Sequence, residues 1–260
     1  MAILESEGVD LKGWKFGETS TIVSIFTKNF GKVRMMAKGS RSLKSKFKGC
    51  LEPLTHIHLI YYEKNTRELQ LLSKANLIDP HYGIIGNPLK TTLAFAAAEL
   101  VEKTVEEENP VEDLFSLLIH TLSSIDRGDK FREGYFWYFE EHLIDIMGYK
   151  ANWHSCLACK SSLGFHGGLF QPEQGGLLCH ECSKNQGGLR ISAETLEILY
   201  FLQKEPIDHA ADLHPSPYQI AEIRKMHDLY FKTHIEYMQG LKSLNLYYNL
   251  LNYYTIHSKQ

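Results

Sequence analysis

Two short runs, Cys156-Leu157-Ala158-Cys159 and Cys179-His180-Glu181-Cys182, place four of the chain's five cysteines in pairs at metal-ligand spacing. The backbone between them must bring four sulfurs to one point. Gly164, Gly167, Gly168, Gly175 and Gly176 supply the turns needed to do so. Four thiolates satisfy tetrahedral Zn²⁺ at about 2.3 Å each, and a site filled by protein sulfur keeps no position for a catalytic water. The spacing therefore predicts one structural Zn²⁺ per chain, held by Cys156, Cys159, Cys179 and Cys182.

Redox use of these pairs is disfavoured, since one pair would suffice and no thioredoxin-like βαβ pattern surrounds either. A zinc deaminase needs a His-x-Glu ahead of its cysteines, and none precedes either pair. A zinc-dependent hydrolase needs an exchangeable water, which the all-cysteine set excludes. His154 and His180 are spare nitrogen ligands that four cysteines make unnecessary. Lys160 and Ser183 stand where zinc knuckles often carry glycine, which leaves the turn geometry open. Cys50 stands alone.

Hydrophobic periodicity changes at Pro80. Before it, short runs rich in Ile, Val, Thr and Phe alternate with turn residues, and five strands are expected at 3–11, 19–27, 32–38, 54–62 and 69–78. Asn29 to Gly31 closes the second and third strands into a hairpin, and the stretch from Lys64 to Arg67 turns the fourth into the fifth. Five short strands suggest a small closed barrel. His56 and His58 share a strand face, but no third metal ligand is evident nearby.

Between Gly31 and Pro53 lie Lys32, Arg34, Lys38, Arg41, Lys44, Lys46 and Lys48, with no acidic residue until Glu52. Period-two alternation puts Val33, Met35 and Ala37 on one strand face and Lys32, Arg34 and Lys38 on the other. The Gly-, Ser- and Lys-rich segment 39–49 is expected to be a mobile loop whose cations reach phosphates. These seven basic residues are the predicted nucleic-acid contacts; a solvated strand face is the bland alternative. Trp14, Phe16, Phe47, Tyr61 and Tyr62 lie near them, and aromatic rings beside positive charge suit base stacking, although most aromatics in a small barrel are core.

Gly17-Glu18-Thr19, Ile22-Val23, Phe26-Thr27, Gly31, Ala37-Lys38-Gly39, Arg41, Lys44-Ser45, Phe47 and Leu51-Glu52-Pro53 form an ordered run. This run strongly resembles the N-terminal barrel of the RecO recombination mediators. The resemblance implies an OB-fold, binding of single- and double-stranded DNA, annealing of complementary strands and, with RecR, loading of RecA onto DNA coated by single-stranded-DNA-binding protein. It also implies that the helical part receives that protein's acidic C-terminal tail. The cysteine segment, with Gly175-Gly176-Leu177-Leu178 before its third cysteine, resembles the same family, some members of which keep these cysteines.

After Pro88 the pattern is helical. Leu93, Ala97, Leu100 and Val101, then Leu114, Leu117, Leu118 and Leu122, then Phe136, Phe139, Leu143 and Ile146 recur at helical steps. Pro110 opens the second stripe and Gly148 closes the third, while Glu106 to Glu108 read as a solvated helix end. Tyr135 to Phe139 are aromatic on every helix face, which predicts core packing or a groove. Ser192 marks a further helix start, Pro206 its stop, and Ile220 to Ile235 continue with helical spacing up to Gly240. A last apolar run covers Leu244 to Tyr254. The expected class is α+β: a five-stranded OB-fold nucleic-acid-binding domain at 1–80, a helical domain at 81–150 and 189–260, and an inserted four-cysteine, zinc-ribbon-like segment at 151–188.

Before Pro80 the chain holds 13 Lys and Arg against 8 Asp and Glu; from Pro80 onward it holds 15 against 23, within totals of 28 and 31. A basic front and an acidic rear suggest different partners. The opening MAILESEGVD carries acids where a signal peptide would be basic, and no stretch has the apolar length to span a bilayer, so a cytoplasmic, nucleoid-associated chain is expected. Nucleophile elbows, phosphate-cradling glycine loops and paired catalytic carboxylates are missing from the sequence. A binding protein is therefore expected, not an enzyme. An RNA-binding factor of translation or transcription is the alternative, since barrels and zinc ribbons serve there too.

Overall fold

β1 (Ala2–Phe16), β2 (Ser20–Thr27), β3 (Gly31–Ala37), β4 (His56–Glu63) and β5 (Gln70–Asp79) close into a barrel in the order β1-β2-β3-β5-β4. This is the strand order of the expected OB-type barrel. The structure is a computed structural model that describes residues 2–64, 66–129, 132–235 and 240–257. The turn expected at Lys64 to Arg67 contains residue 65, and the run expected to reach Gly240 contains residues 236–239; these lie outside the described residues.

Closure is antiparallel except where β3 meets β5 in parallel at Met35–Gln70 and Met36–Leu71. Val33, Met35 and Ala37 point inward and are buried, as alternation requires. The β2–β3 turn depends on Gly31, whose φ of +67° favours glycine and whose added Cβ would lie 2.4 Å from Asn109 O. Thr27 fixes the same turn by donating its hydroxyl to Gly31 O at 2.8 Å.

The segment 39–49 is more ordered than a mobile loop. Its turns are closed by backbone bonds from Ser42 to Gly39 and from Ser45 to Ser42. Arg41 N–H reaches across to Thr19 O at 2.8 Å. Phe47 is buried in the barrel core, and Cys50 follows it there. Burying such a ring stabilises by about 1.5–3 kcal/mol, enough to hold the loop's far end down.

The helices are α1 (Tyr82–Ile85), α2 (Pro88–Thr104), α3 (Glu112–Arg127) and α4 (Arg132–Ile146). Strands β6 (Asn152–Cys156), β7 (Gly168–Gln171), β8 (Gly176–Leu178) and β9 (Arg190–Ile191) follow, in the sheet order β6-β8-β7-β9. The chain ends with α5 (Ala193–Lys204), α6 (Pro217–His234) and α7 (Lys242–His257). Caps explain the starts: Asn87 accepts from Leu89 N and Lys90 N, Ser192 from Thr195 N, and Ser216 with Gln219 forms a capping box.

Compactness divides the chain into Met1–Arg127 with Leu241–Gln260, and Gly128–Gly240. The first unit thus joins α1–α3 and α7 to the barrel. There Phe115 of α3 packs on Phe26 at 5.8 Å between ring centroids, and Glu99 of α2 accepts from Lys242 N and Ser243 N at the start of α7. The second unit holds α4, the cysteine sheet, α5 and α6. Of the aromatic run in α4, Tyr135, Phe136, Trp137 and Phe139 are core. The same core contains paired polar side chains: Arg224 grips Glu133 through two bonds of 2.6 Å, and Glu222 accepts from Ser192 and Thr195.

Candidate metal centre and basic face

Cys156 ends β6, and Cys159 closes the turn after it; Cys179 follows β8, and Cys182 closes the next turn. Because β6 pairs with β8, the two turns emerge side by side, and the four Sγ atoms lie within 4.8 Å of one another. Among the described residues this is the group of His, Cys, Asp and Glu side chains placed to hold a metal ion. Cys159 and Cys179 sulfurs are 3.7 Å apart. A tetrahedron with arms of 2.3 Å has edges of about 3.8 Å, so the spacing fits a metal of that size.

Backbone amides prepare the site. Cys179 N–H points at Cys156 Sγ from 3.3 Å, and Ser161 Oγ lies 3.0 Å from Cys159 Sγ. Burial pushes the Cys156 thiol up, but amide donors at Cys159, Cys179 and Ala158 outweigh it and bring the group down to about 6. Cys182 is pushed up to about 12, chiefly through its hydrogen bonds with Cys159, Cys179 and Cys156. A cation bound to the sulfurs would displace thiol protons. His154 packs against Tyr200 at 4.1 Å and His180 lies beside Glu181, so neither joins the sulfurs.

The turn after the first pair forms without glycine: Lys160 itself takes a φ of +61° and donates its N–H to Cys156 O. Ser183 is buried and donates its N–H to Cys179 O, completing the second turn. Glycine is needed elsewhere. A Cβ on Gly175 would lie 2.2 Å from Tyr230 Oη of α6 and one on Gly167 2.0 Å from Ile191 O of β9, and both glycines take positive φ, so glycine suits these two close approaches. Trp153 Nε1–H donates to Glu141 Oε2 at 2.9 Å, tying β6 to α4.

The seven predicted basic contacts separate into two groups. Lys32 is only 9% exposed; its Nζ donates to Glu102 O at 2.6 Å and lies 4.0 Å from Glu102 Oε2. Arg34 is bidentate on Glu107, through Nε at 2.7 Å and Nη2 at 3.0 Å. The acidic run Glu106 to Glu108 is therefore not simply a solvated helix end, because the Glu107 backbone also forms a bridge with Lys32 and Glu108 N–H donates to Lys32 O. Lys38, Arg41, Lys44, Lys46 and Lys48 lie on or beside the loop, and all five are exposed. Lys46 Nζ stands 5.1 Å from the centroid of the Phe47 ring, and Arg41 Nη1 donates to Gly17 O.

The aromatic candidates separate likewise. Phe47 and Tyr61 are core, Tyr62 is half-buried, and Trp14 and Phe16 are exposed. His56 and His58 pair with Glu7 and Glu5 across β1 and β4. Glu102 and Glu107 escape sequence reasoning as partners, since they lie some 70 residues beyond Lys32 and Arg34 and no local pattern links them.

An OB-type barrel with a basic loop, joined in one chain to helices and a sheet whose four cysteines could hold a metal ion, defines the architecture. The profile described as Recombination protein O N terminal matches residues 1–81, and that described as Recombination protein O C terminal matches residues 86–245. The chain belongs to the RecO family of DNA repair proteins. Curated relatives carrying the name DNA repair protein RecO include that of Chloroherpeton thalassium, 28% identical over 96% of this chain and 99% of the relative. The Roseiflexus protein is 29% identical over 90% and 82%, and the Anaeromyxobacter protein 31% identical over 82% and 84%. No described helix is long and apolar enough to cross a membrane.

Proposed function

We propose that this chain is a DNA-binding recombination mediator. Its barrel holds the backbones of single- and double-stranded DNA, brings complementary strands together and, with RecR, promotes loading of RecA onto DNA coated by single-stranded-DNA-binding protein. The observation that carries this reading is the cluster Lys38, Arg41, Lys44, Lys46 and Lys48 on the loop of an OB-type barrel in a RecO-family chain. Phosphate neutralisation by such a cluster is independent of sequence, as an annealing protein requires. Lys32 is buried on Glu102, while Arg34 stays exposed on the outer strand face, paired with Glu107.

The metal is Zn²⁺, bound by Cys156, Cys159, Cys179 and Cys182 in a structural role, since four sulfurs fill its coordination sphere. The helical part receives the acidic tail of single-stranded-DNA-binding protein, and the chain works in the cytoplasm at the nucleoid. The decisive experiment is annealing of two complementary oligonucleotides coated with single-stranded-DNA-binding protein, comparing wild type with a Lys38→Ala/Arg41→Ala/Lys44→Ala variant. Acceleration by wild type and its loss in the variant are expected; no acceleration by wild type overturns the reading.

A further inference from the structure

β1 pairs with β4 only from Ala2 to Val9, yet it continues to Phe16 against β2 alone. In this extension Lys12 faces Ser24, Trp14 faces Ile22 and Phe16 faces Ser20; across the next pair Ser24 faces Arg34 and Ile22 faces Met36. Residues directly opposed in antiparallel strands share a face. Lys12, Ser24 and Arg34 therefore make one transverse row, Trp14, Ile22 and Met36 the next, and Phe16 with Ser20 a third. Val23 and Met35 occupy the opposite, buried face, so the rows lie on the outside of the barrel.

Among the described residues, helices cover this face only at one end. Phe115 packs on Phe26, and Ser24 donates its hydroxyl to Glu102, where both strand residues are fully buried. Beyond Ser24 the cover stops. Trp14 is 38% and Phe16 47% exposed, and Ile22 and Met36 are half-buried beside them.

We infer that this outer face of β1–β3 is a stacking strip for the unpaired bases of single-stranded DNA, with Trp14 and Phe16 as its platforms. The inference rests on the DNA-binding reading above and adds a division of labour to it. Side chains two residues apart on a strand stand about 6.8 Å apart, a spacing that the splayed bases of an extended single strand can match. Duplex bases are stacked on one another and offer no free ring face. Charge fits the same occupant: Lys12 Nζ is 5.0 Å from the Trp14 ring centroid, and Arg41 brings the cationic loop against Gly17 and Thr19 at the end of the extension. Glu18 is the single acidic residue between Lys12 and Gly49. The strip thus takes bases of single strands, while the loop cations take phosphates of either form.

The test uses the intact protein with oligo(dT) and with a blunt duplex. Trp137 and Trp153 are buried, so Trp14 is the tryptophan whose emission an incoming base can quench. Oligo(dT) is expected to quench wild type, and the duplex is not. Trp14→Phe keeps affinity for oligo(dT) but loses the quench. Trp14→Ala and Phe16→Ala each weaken oligo(dT) binding roughly tenfold and leave duplex binding unchanged, which also shows that the variants are folded. Binding of oligo(dT) without quenching, or a double alanine variant that keeps its preference between the two DNAs, overturns the strip while leaving the DNA-binding reading intact. Failure of wild type to bind either DNA overturns both.

Discussion

Arg34 on β3 is clasped by Glu107, which follows α2, through Nε at 2.7 Å and Nη2 at 3.0 Å. Glu107 raises the proton affinity of a guanidinium that is already fully charged, so the contact masks the cation without altering it. Both side chains are almost half exposed, and a pair of that kind contributes at most about 1 kcal/mol to stability. Glu107→Gln should therefore fold normally, unmask Arg34 and tighten DNA binding, raising the salt slope by about 0.7 to 0.9. Fluorescence anisotropy of a labelled oligonucleotide across a salt series measures both, and an unchanged slope would show that Arg34 stays clear of phosphate.

Lys44 and Lys48 contrast with Lys32. The first two are exposed and flank Phe47, which holds their loop down, so Lys44→Ala with Lys48→Ala should lower the salt slope by about 1.4 to 1.8 with little change in melting temperature. Lys32 is buried on Glu102, and Lys32→Ala leaves that carboxylate and its carbonyl without their cation. It should lower melting temperature and leave the salt slope as it was. Equal slope changes in the two variants would contradict this assignment.

The difference between those lysines marks how far the sequence could be read. Strand alternation identified Val33, Met35 and Ala37 as core and the other face as basic, because a period of two is local. Likewise, two cysteine pairs and their glycines located the four sulfurs before any fold was known. The acids that occupy Lys32 and Arg34 were not legible, since the pairing is made by chain returning from α2. Nor was the length of β1. Residues 12–16 run past the end of β4 and pair with β2 alone, and the two apolar residues there, Trp14 and Phe16, are too short an alternation to mark a strand exposed on both faces. The buried glutamates of α4 had no signature either, for their partners arrive from α6, some 90 residues on.

Metal removal should act on the cysteine sheet first. Cys156→Ser removes the most buried of the four sulfurs and is expected to abolish stoichiometric zinc, lower melting temperature and expose the β6–β8 turns to protease. Lys160→Gly tests the turn independently. Lysine at φ +61° is in a region that glycine enters without steric cost, so the glycine variant should keep its metal and gain up to about 1 kcal/mol. Elemental analysis with thermal melts distinguishes the two, and a serine variant that retains one zinc per chain would contradict the four-sulfur site.

His227 makes stability depend on pH in a direction opposite to that of ordinary acid unfolding. Its ring lies between two buried carboxylates of α4, Nδ1 2.7 Å from Glu140 Oε2 and Nε2 2.9 Å from Glu141 Oε1. Burial favours the neutral ring, but Glu140 and Glu141 outweigh it and hold the imidazolium to about 10. Burial, reinforced by Glu133 and Glu141, also pushes the Glu140 carboxyl up against the pull of His227. A group held above its unfolded value contributes fully below that value, here 6.5, and loses the contribution as pH rises through the folded one. Wild type should therefore lose stability between about pH 6.5 and 10, a window in which solvated carboxylates no longer titrate. His227→Gln removes the cation and leaves Glu140 and Glu141 facing each other, which should cost about 3–5 kcal/mol near neutral pH and flatten the profile above it. Urea unfolding at a series of pH values checks this, and a wild-type curve as flat as that of the variant would mean that the ring is neutral in the folded protein.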